Sequence, residues 1–218
     1  MRGLLITLEG IDGSGKSTQF QMLLSALRQR GFDPLATREP GGTSLGLGMR
    51  AVLLANESKN LAPVAELFLM TADRAQHVAE VIRPALNADR IVISDRYIDS
   101  TVAFQGYGRG LDLATARLAN NLATGGLVPD LTILFDLDPE KAQARLDARA
   151  TADSPGGFEP GMTRFDEENL EFHARVREGY LSLAATEPDR FRMLDATESV
   201  DVTHQQVLSL VLPLIERA

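Results

Sequence analysis

Residues 4–18 of this chain read Leu-Leu-Ile-Thr-Leu-Glu-Gly-Ile-Asp-Gly-Ser-Gly-Lys-Ser-Thr, an apolar run that breaks into a glycine-rich loop. Leu4–Leu8 is apolar enough to be a buried strand, and Gly10, Gly15, Lys16 and Ser17 fill every fixed position of G-x-x-x-x-G-K-[ST]. The pattern carries a mechanism. Glycines let backbone N–H groups turn inward around phosphate oxygens, and the helix that follows aims its positive end at them. Gly10, Ile11, Asp12, Gly13, Ser14, Gly15, Lys16, Ser17 and Thr18 are therefore the candidate contacts to a nucleoside triphosphate. Lys16 would reach the β- and γ-phosphates, and the Ser17 hydroxyl would ligate Mg²⁺. Lysine is scarce here, at positions 16, 59 and 141 only, so the one in the loop stands out against an arginine-rich background.

A strand followed at once by a helix predicts a repeating α/β pattern, and the chain continues that way. Lys16–Arg30 reads as a helix with Leu23, Leu24 and Leu27 as its inward stripe and Gly31 as its stop. Leu35–Thr37 is a short strand, and the turn-rich Arg38-Glu39-Pro40-Gly41-Gly42-Thr43 leaves its carboxyl end. Ser44–Ala55 is predicted helical, as is a long stretch from Pro63, a first-turn proline, to about Ile82. Ile91–Ile93 is a strand ending in Ser94-Asp95-Arg96-Tyr97, and Ser100–Gly110, with glycines at 106, 108 and 110, reads as irregular. Further helices are expected at Ala114–Ala123, Pro139–Arg149, from about Arg164, and Val202–Arg217, with strands at Leu131–Phe135 and Phe191–Leu194. Between Arg149 and Arg164 the run holds Pro155, Gly156, Gly157, Pro160 and Gly161, long enough for a lid at about 149–165.

The expected fold is thus a single α/β domain over 1–218: a parallel five-stranded sheet with helices on both faces, of the P-loop type. Ligands of such sheets gather at the strands' carboxyl ends, so the loops after Leu8, Thr37 and Ser94 should converge. With 218 residues one domain can bury a substantial core. A net charge of −8 argues against a general nucleic-acid binder, and the absence of cysteine excludes disulfides and thiol chemistry. No apolar run is long enough to span a bilayer, and the first strand begins too early for a signal peptide, so a soluble, cytoplasmic protein is expected.

Phosphoryl transfer needs in-line positioning and cancellation of charge on the phosphate oxygens. Asp95, at a strand end, is the candidate second holder of Mg²⁺. Arg38, Arg50, Arg74 and Arg96 fall on the same predicted side, which suggests a second anion near the first. If the acceptor is itself a phosphate, its oxygen is already ionised and no general base is needed. His77, His173 and His204 sit in helical contexts away from the loop and read as structural or solvated. Arg145, Arg149 and Arg164 flank the lid, where they are either solvated helix-end charges or groups that close over the phosphates.

Assembled, these segments resemble the thymidylate kinase family, in its bacterial subtype, along nearly the whole chain. The resemblance is carried by Gly10–Thr18, Arg38–Thr43, Ala72-Asp73-Arg74, Asp95-Arg96-Tyr97 with Ser100–Gln105, Pro129-Asp130-Leu131, and Arg164–Glu168. It implies phosphorylation of dTMP to dTDP by ATP and Mg²⁺ in a homodimer packed through helices. It implies that Arg74 bonds a thymine carbonyl, that Arg96 binds the acceptor phosphate, and that Thr101 meets the base edge with Ser100 and Gln105 nearby. Phe104 would lie against the sugar, Glu39 and Arg50 would line the acceptor side, and Asp12 would face the reacting groups. The eukaryotic-like subtype carries an arginine after the loop's acidic residue; Gly13 stands there in this chain, so Arg149 and Arg164 are expected to supply the catalytic charge. Met70 replaces the phenylalanine usual four residues before Arg74, and Phe104 replaces a common tyrosine, which bears on base and sugar discrimination. A kinase for another nucleoside monophosphate and a P-loop switch ATPase are the competing readings.

Overall fold

The computed structural model describes residues 3–58, 60–151 and 163–217, with backbone alone at 149–151. Five parallel strands form one sheet: β1 (Leu4–Glu9), β2 (Leu35–Arg38), β3 (Ile91–Asp95), β4 (Leu131–Asp136) and β5 (Phe191–Asp195), in the order β2-β3-β1-β4-β5. β1 lies at the centre, pairing Leu4–Leu8 with Ile91–Asp95 on one side and Ile6–Glu9 with Leu131–Leu134 on the other.

The alternation along β1 decides what its two faces do. Leu4, Ile6 and Leu8 enter the larger core cluster with Leu23 and Leu27 of α1 (Lys16–Gln29) and Val207 and Val211 of α9 (Val200–Arg217). On the opposite face Leu5 joins a smaller cluster with Val78, Ile82, Val92 and Tyr97. The next two positions of that face are the buried polar Thr7 and Glu9, so the strand becomes polar as it approaches its carboxyl end. Thr7 shares a hydrogen bond with Thr132 across the sheet.

Three expectations about helices are corrected. The segment expected to be irregular is helical: α5 (Ile98–Thr101) runs into a π-helical stretch, Val102–Gly108. Its glycines serve packing. A Cβ on Gly108 would stand 2.7 Å from the Phe172 ring of α8 (Leu170–Thr186), closer than side chains approach. The helix from Pro63 extends past Ile82: α3 (Pro63–His77) passes through a π-turn, Val78–Ile82, into α4 (Arg83–Asn87). Pro84, which has no N–H for an α-helical bond, sits just after that widened turn. The helix expected from about Arg164 begins at Leu170, where the Asn169 side chain accepts from the Phe172 N–H, and turns precede it between 163 and 168. The remaining helices are α2 (Ser44–Leu54), α6 (Leu113–Thr124) and α7 (Pro139–Thr151).

Candidate active site

The loops leaving β1, β2 and β3 converge at the strands' carboxyl ends and bound a cleft of about 350 Å³. From the first loop, Asp12, Gly13, Gly15, Lys16, Ser17 and Thr18 line it; Gly10, Ile11 and Ser14 belong to the same turn without lining the cleft. Lys16 is buried at the start of α1, and its Nζ donates to the Gly10 and Ile11 carbonyls at 2.8 Å each, leaving its third proton for an anion. Burial pushes the Lys16 ammonium down to about 8, with Arg96 adding to the effect and Asp12 opposing it. Gly13 has φ 80, and a Cβ there would lie 2.6 Å from the Ala142 carbonyl of α7. The loop therefore has no room at position 13 for a side chain, an arginine included, unless α7 moves.

Arg96 takes φ 69, an uncommon conformation for a residue with a side chain, directly after β3. Its guanidinium is held from several sides. Nη2 donates to Asp12 Oδ1 at 2.7 Å, and Nη1 donates to Ser100 Oγ, Tyr180 Oη and the Gly10 carbonyl at 3.1 Å each. Burial works against the Asp12 carboxylate, but Arg96 and Lys16 hold it down at about 2. Behind this pair sits Glu9, whose carboxylate accepts from the Tyr97 N–H, the Ser100 hydroxyl and the Tyr180 hydroxyl. Burial pushes the Glu9 carboxyl up to about 7, with Asp99 adding and Arg96 opposing.

Arg74, on α3, is almost completely buried yet reaches the cleft wall. Its Nε donates to Glu39 Oε2, Nη1 to Thr101 Oγ1 and Asn120 Oδ1, and Nη2 to the Tyr97 carbonyl. Of five guanidinium protons four are committed, and one is left for a ligand. Glu39 also meets His77 Nδ1 at 2.9 Å, while Thr37 meets the other ring nitrogen. His77, with both ring nitrogens engaged, is thus a structural histidine behind Glu39. His173 and His204 are buried as well, rather than solvated.

The other expected acceptor-side residues are brought together: Arg50, Met70, Ser100, Thr101, Phe104 and Gln105 all line the cleft. Asp95 lines it too, as Ser17 does, and its Oδ1 is buried with no hydrogen-bond partner among the described residues. One hydroxyl and one orphaned carboxylate oxygen, beside a loop shaped for phosphates, fit a hard divalent cation such as Mg²⁺.

Arg164 stands apart from these residues. It does not line the cleft; its side chain is buried, with Nη1 2.7 Å from Glu66 Oε2, Nε bonded to the Leu53 carbonyl and its guanidinium over the Phe165 ring. Glu66, a fully buried carboxylate, holds the charge that the family resemblance implied would face the phosphates. The Arg149 side chain and residues 152–162 of the expected lid lie outside the described residues. Arg145 of α7 does line the cleft, with Nη2 donating to the Ala196 carbonyl.

Sequence reasoning assigned no role to Phe165 and Asp166, which enter the cleft from the turns before α8. Phe165 stands edge-on to Phe104, centroids 5.6 Å apart, and gives the cleft an aromatic surface that Met70 lacks. The one signal for them was their place in the Arg164–Glu168 segment that carries the resemblance.

Comparison with known proteins adds an independent line. The family model for thymidylate kinase matches residues 8–207. The chain belongs to the thymidylate kinase family. A thymidylate kinase of Solidesulfovibrio magneticus is 50% identical over 216 residues, covering 97% of this chain and 100% of that protein. One from an Exiguobacterium species is 43% identical over 217 residues, covering 100% of this chain and 98% of that one. A crystal structure of thymidylate kinase from Ehrlichia chaffeensis superposes with TM-score 0.75 at 31% identity, covering 97% of this chain and 99% of that one. As a thymidylate kinase family member the chain is a phosphotransferase. No described helix is long and apolar enough to cross a membrane.

Proposed function

We propose that this chain transfers the γ-phosphoryl group of ATP to dTMP, forming dTDP and ADP, with Mg²⁺ held by Ser17, Asp95 and the phosphates themselves. The observation that carries the reading is the gathering of Arg38, Arg50, Arg74, Arg96 and Arg145, from separate elements, around one P-loop cleft in an acidic protein. Such a cleft suits two polyanions better than one. The bound cation would offset charge on the phosphate oxygens.

The residues then divide by what they touch. Gly10–Thr18 cradle the triphosphate, with Lys16 on the transferring end. Arg96, fixed by Asp12 and the Glu9 hub, holds the acceptor phosphate in line. Arg74 gives its one uncommitted proton to a thymine carbonyl, Phe104 and Phe165 pack on the nucleoside, and Arg50 and Glu39 complete the acceptor wall. Arg149 is assigned the closing positive charge on the family resemblance. No general base is required, since the acceptor oxygen is ionised at neutral pH; Asp12, at about 2, is in any case too weak a base to take a proton. A homodimer is part of the reading, supported by exposed apolar side chains on α3 and α6.

The test is ADP release measured across dTMP, dUMP, dCMP, dGMP and dAMP with ATP and Mg²⁺. We expect turnover to require an acceptor and to favour dTMP. Turnover without acceptor would identify a switch-type ATPase, and preference for a different base would reassign the substrate.

A further inference from the structure

Glu66 lines no part of the cleft and is fully buried on α3, one helical turn before Met70 and two before Arg74. A carboxylate so placed is costly unless its lone pairs are filled, and here they are. Oε2 faces Arg164 Nη1 at 2.7 Å and Arg109 Nε at 3.2 Å, and Oε1 accepts from Gln105 Nε2 at 2.8 Å. Arg109 also pairs with Glu168 and lies over the Phe172 ring. With two guanidiniums and an amide N–H against it, Glu66 is an acceptor at every contact.

That fixes the neighbour's chemistry. Gln105 has two faces of opposite polarity, a donating nitrogen and an accepting oxygen, and an unconstrained amide could present either. Glu66 can take only the nitrogen. Gln105 lines the cleft, and with Nε2 turned to Glu66 its Oε1 is the face left to a ligand. We propose that Glu66 is a specificity-determining positioning residue: it pins the Gln105 amide so that the cleft offers an acceptor there, and thereby selects a ring that carries an N–H.

Resting on the dTMP reading above, the consequence is definite. Arg74 offers a donor and Gln105 an acceptor, which matches a thymine or uracil edge, a carbonyl beside N3–H. Cytosine inverts both positions, with an exocyclic amine and a bare N3, so it meets donor with donor and acceptor with acceptor. A site whose polar groups are fixed rejects such an analogue far more strongly than one whose groups can turn over. Without the anchor, Gln105 could rotate about its last torsion and offer N–H to cytosine N3, so half of the discrimination would be lost while Arg74 kept the other half.

The experiment compares steady-state kinetics for dTMP and dCMP in the wild type, Glu66→Gln, Gln105→Leu and the double variant, with the KM for ATP as control. Wild-type turnover of dTMP is measured first; its absence would retire the functional reading itself, apart from this inference. For Glu66→Gln the expected result is a fall of about tenfold or more in the dTMP:dCMP ratio of kcat/KM, carried by KM for the monophosphate, with KM for ATP unchanged. Glu66→Gln leaves Arg164 without its carboxylate and Arg109 with Glu168 alone, so Gln105→Leu, which keeps the Glu66 ion pairs, supplies an independent arm. It should lower the ratio as far, and the double variant no further. An unchanged ratio in Gln105→Leu, or equal losses for both monophosphates in Glu66→Gln, would overturn the assignment and leave Glu66 a purely structural anion.

Discussion

Glu9 shows how much of this site is set by single buried groups. It accepts three hydrogen bonds and, through Ser100 and Tyr180, braces the Arg96 guanidinium from behind. A carboxyl that titrates near 7 in the fold, against about 4.5 when the chain is open, binds its proton more tightly when folded. Its contribution to stability is therefore fully present below about 4.5 and is withdrawn as pH rises through about 7. The variant Glu9→Gln, which removes the titrating group and keeps its shape, should flatten that part of the stability curve. Urea midpoints at about pH 5 and about pH 8 measure it: the wild type should lose more stability between them than the variant. Parallel losses would show that Glu9 does not titrate in this window. Asp73, raised to about 6 chiefly by burial, acts with the same sign and cancels in the comparison. None of this was legible in the sequence. The loop and the placing of Arg74 and Arg96 on one cleft could be read because position follows from adjacent residues and fixed spacings. Glu9 meets Tyr180 across 171 positions, and a lone glutamate before a glycine does not announce such a partner.

Elements were legible where local patterning and packing agree, and illegible where packing overrides it. All five strands and their parallel direction follow from apolar runs alternating with helical stretches, whereas their order in the sheet does not. The stretch through Gly106 and Gly108 misleads because glycine is a breaker by propensity, whereas here it lets α8 approach closely. The turns before α8 mislead in a second way. Arg164 follows a glycine- and proline-rich run, the sequence setting of a solvated charge, yet its partners are Glu66 and the Leu53 carbonyl, 111 residues away. It ties the start of this segment to α2 and α3. Arg164→Ala should therefore act on stability first. Removing one partner of a buried ion pair costs about 3–5 kcal/mol, and the lower end applies because Glu66 keeps Arg109. Thermal unfolding followed with kcat checks this: a lowered Tm is expected, with activity recovering at reduced temperature. An unchanged Tm with a collapsed kcat would restore Arg164 to a direct part in the reaction.

Across the whole molecule the cleft and the outer surface are joined by α3. Its inner side carries Glu66, Met70 and Arg74, while Val64 and Phe68 point outward, one turn apart. α3 packs against both α2 and α6, and α6 exposes Leu118 and Leu122 at the same spacing. Phe68 is 63% and Leu122 75% exposed, an unusual display for residues that pair at four-residue intervals on neighbouring helices. A second copy of the chain, applying the same helices about a two-fold axis, would cover this face with a self-complementary one. Phe68→Asp and Leu122→Asp should then shift the protein from dimer to monomer in sedimentation velocity. Because both side chains are solvent-facing in the single chain, neither change should disturb the fold by more than about 0.5 kcal/mol, as circular dichroism can verify. The monomer should bind the monophosphate more weakly than the dimer, since α3, which carries Arg74, loses its outer support, while the P-loop, carried by β1 and α1, keeps its ATP affinity. A wild type that sediments as a monomer at micromolar concentration would remove the dimer from this account, leaving Val64, Phe68, Leu118 and Leu122 without a covering partner.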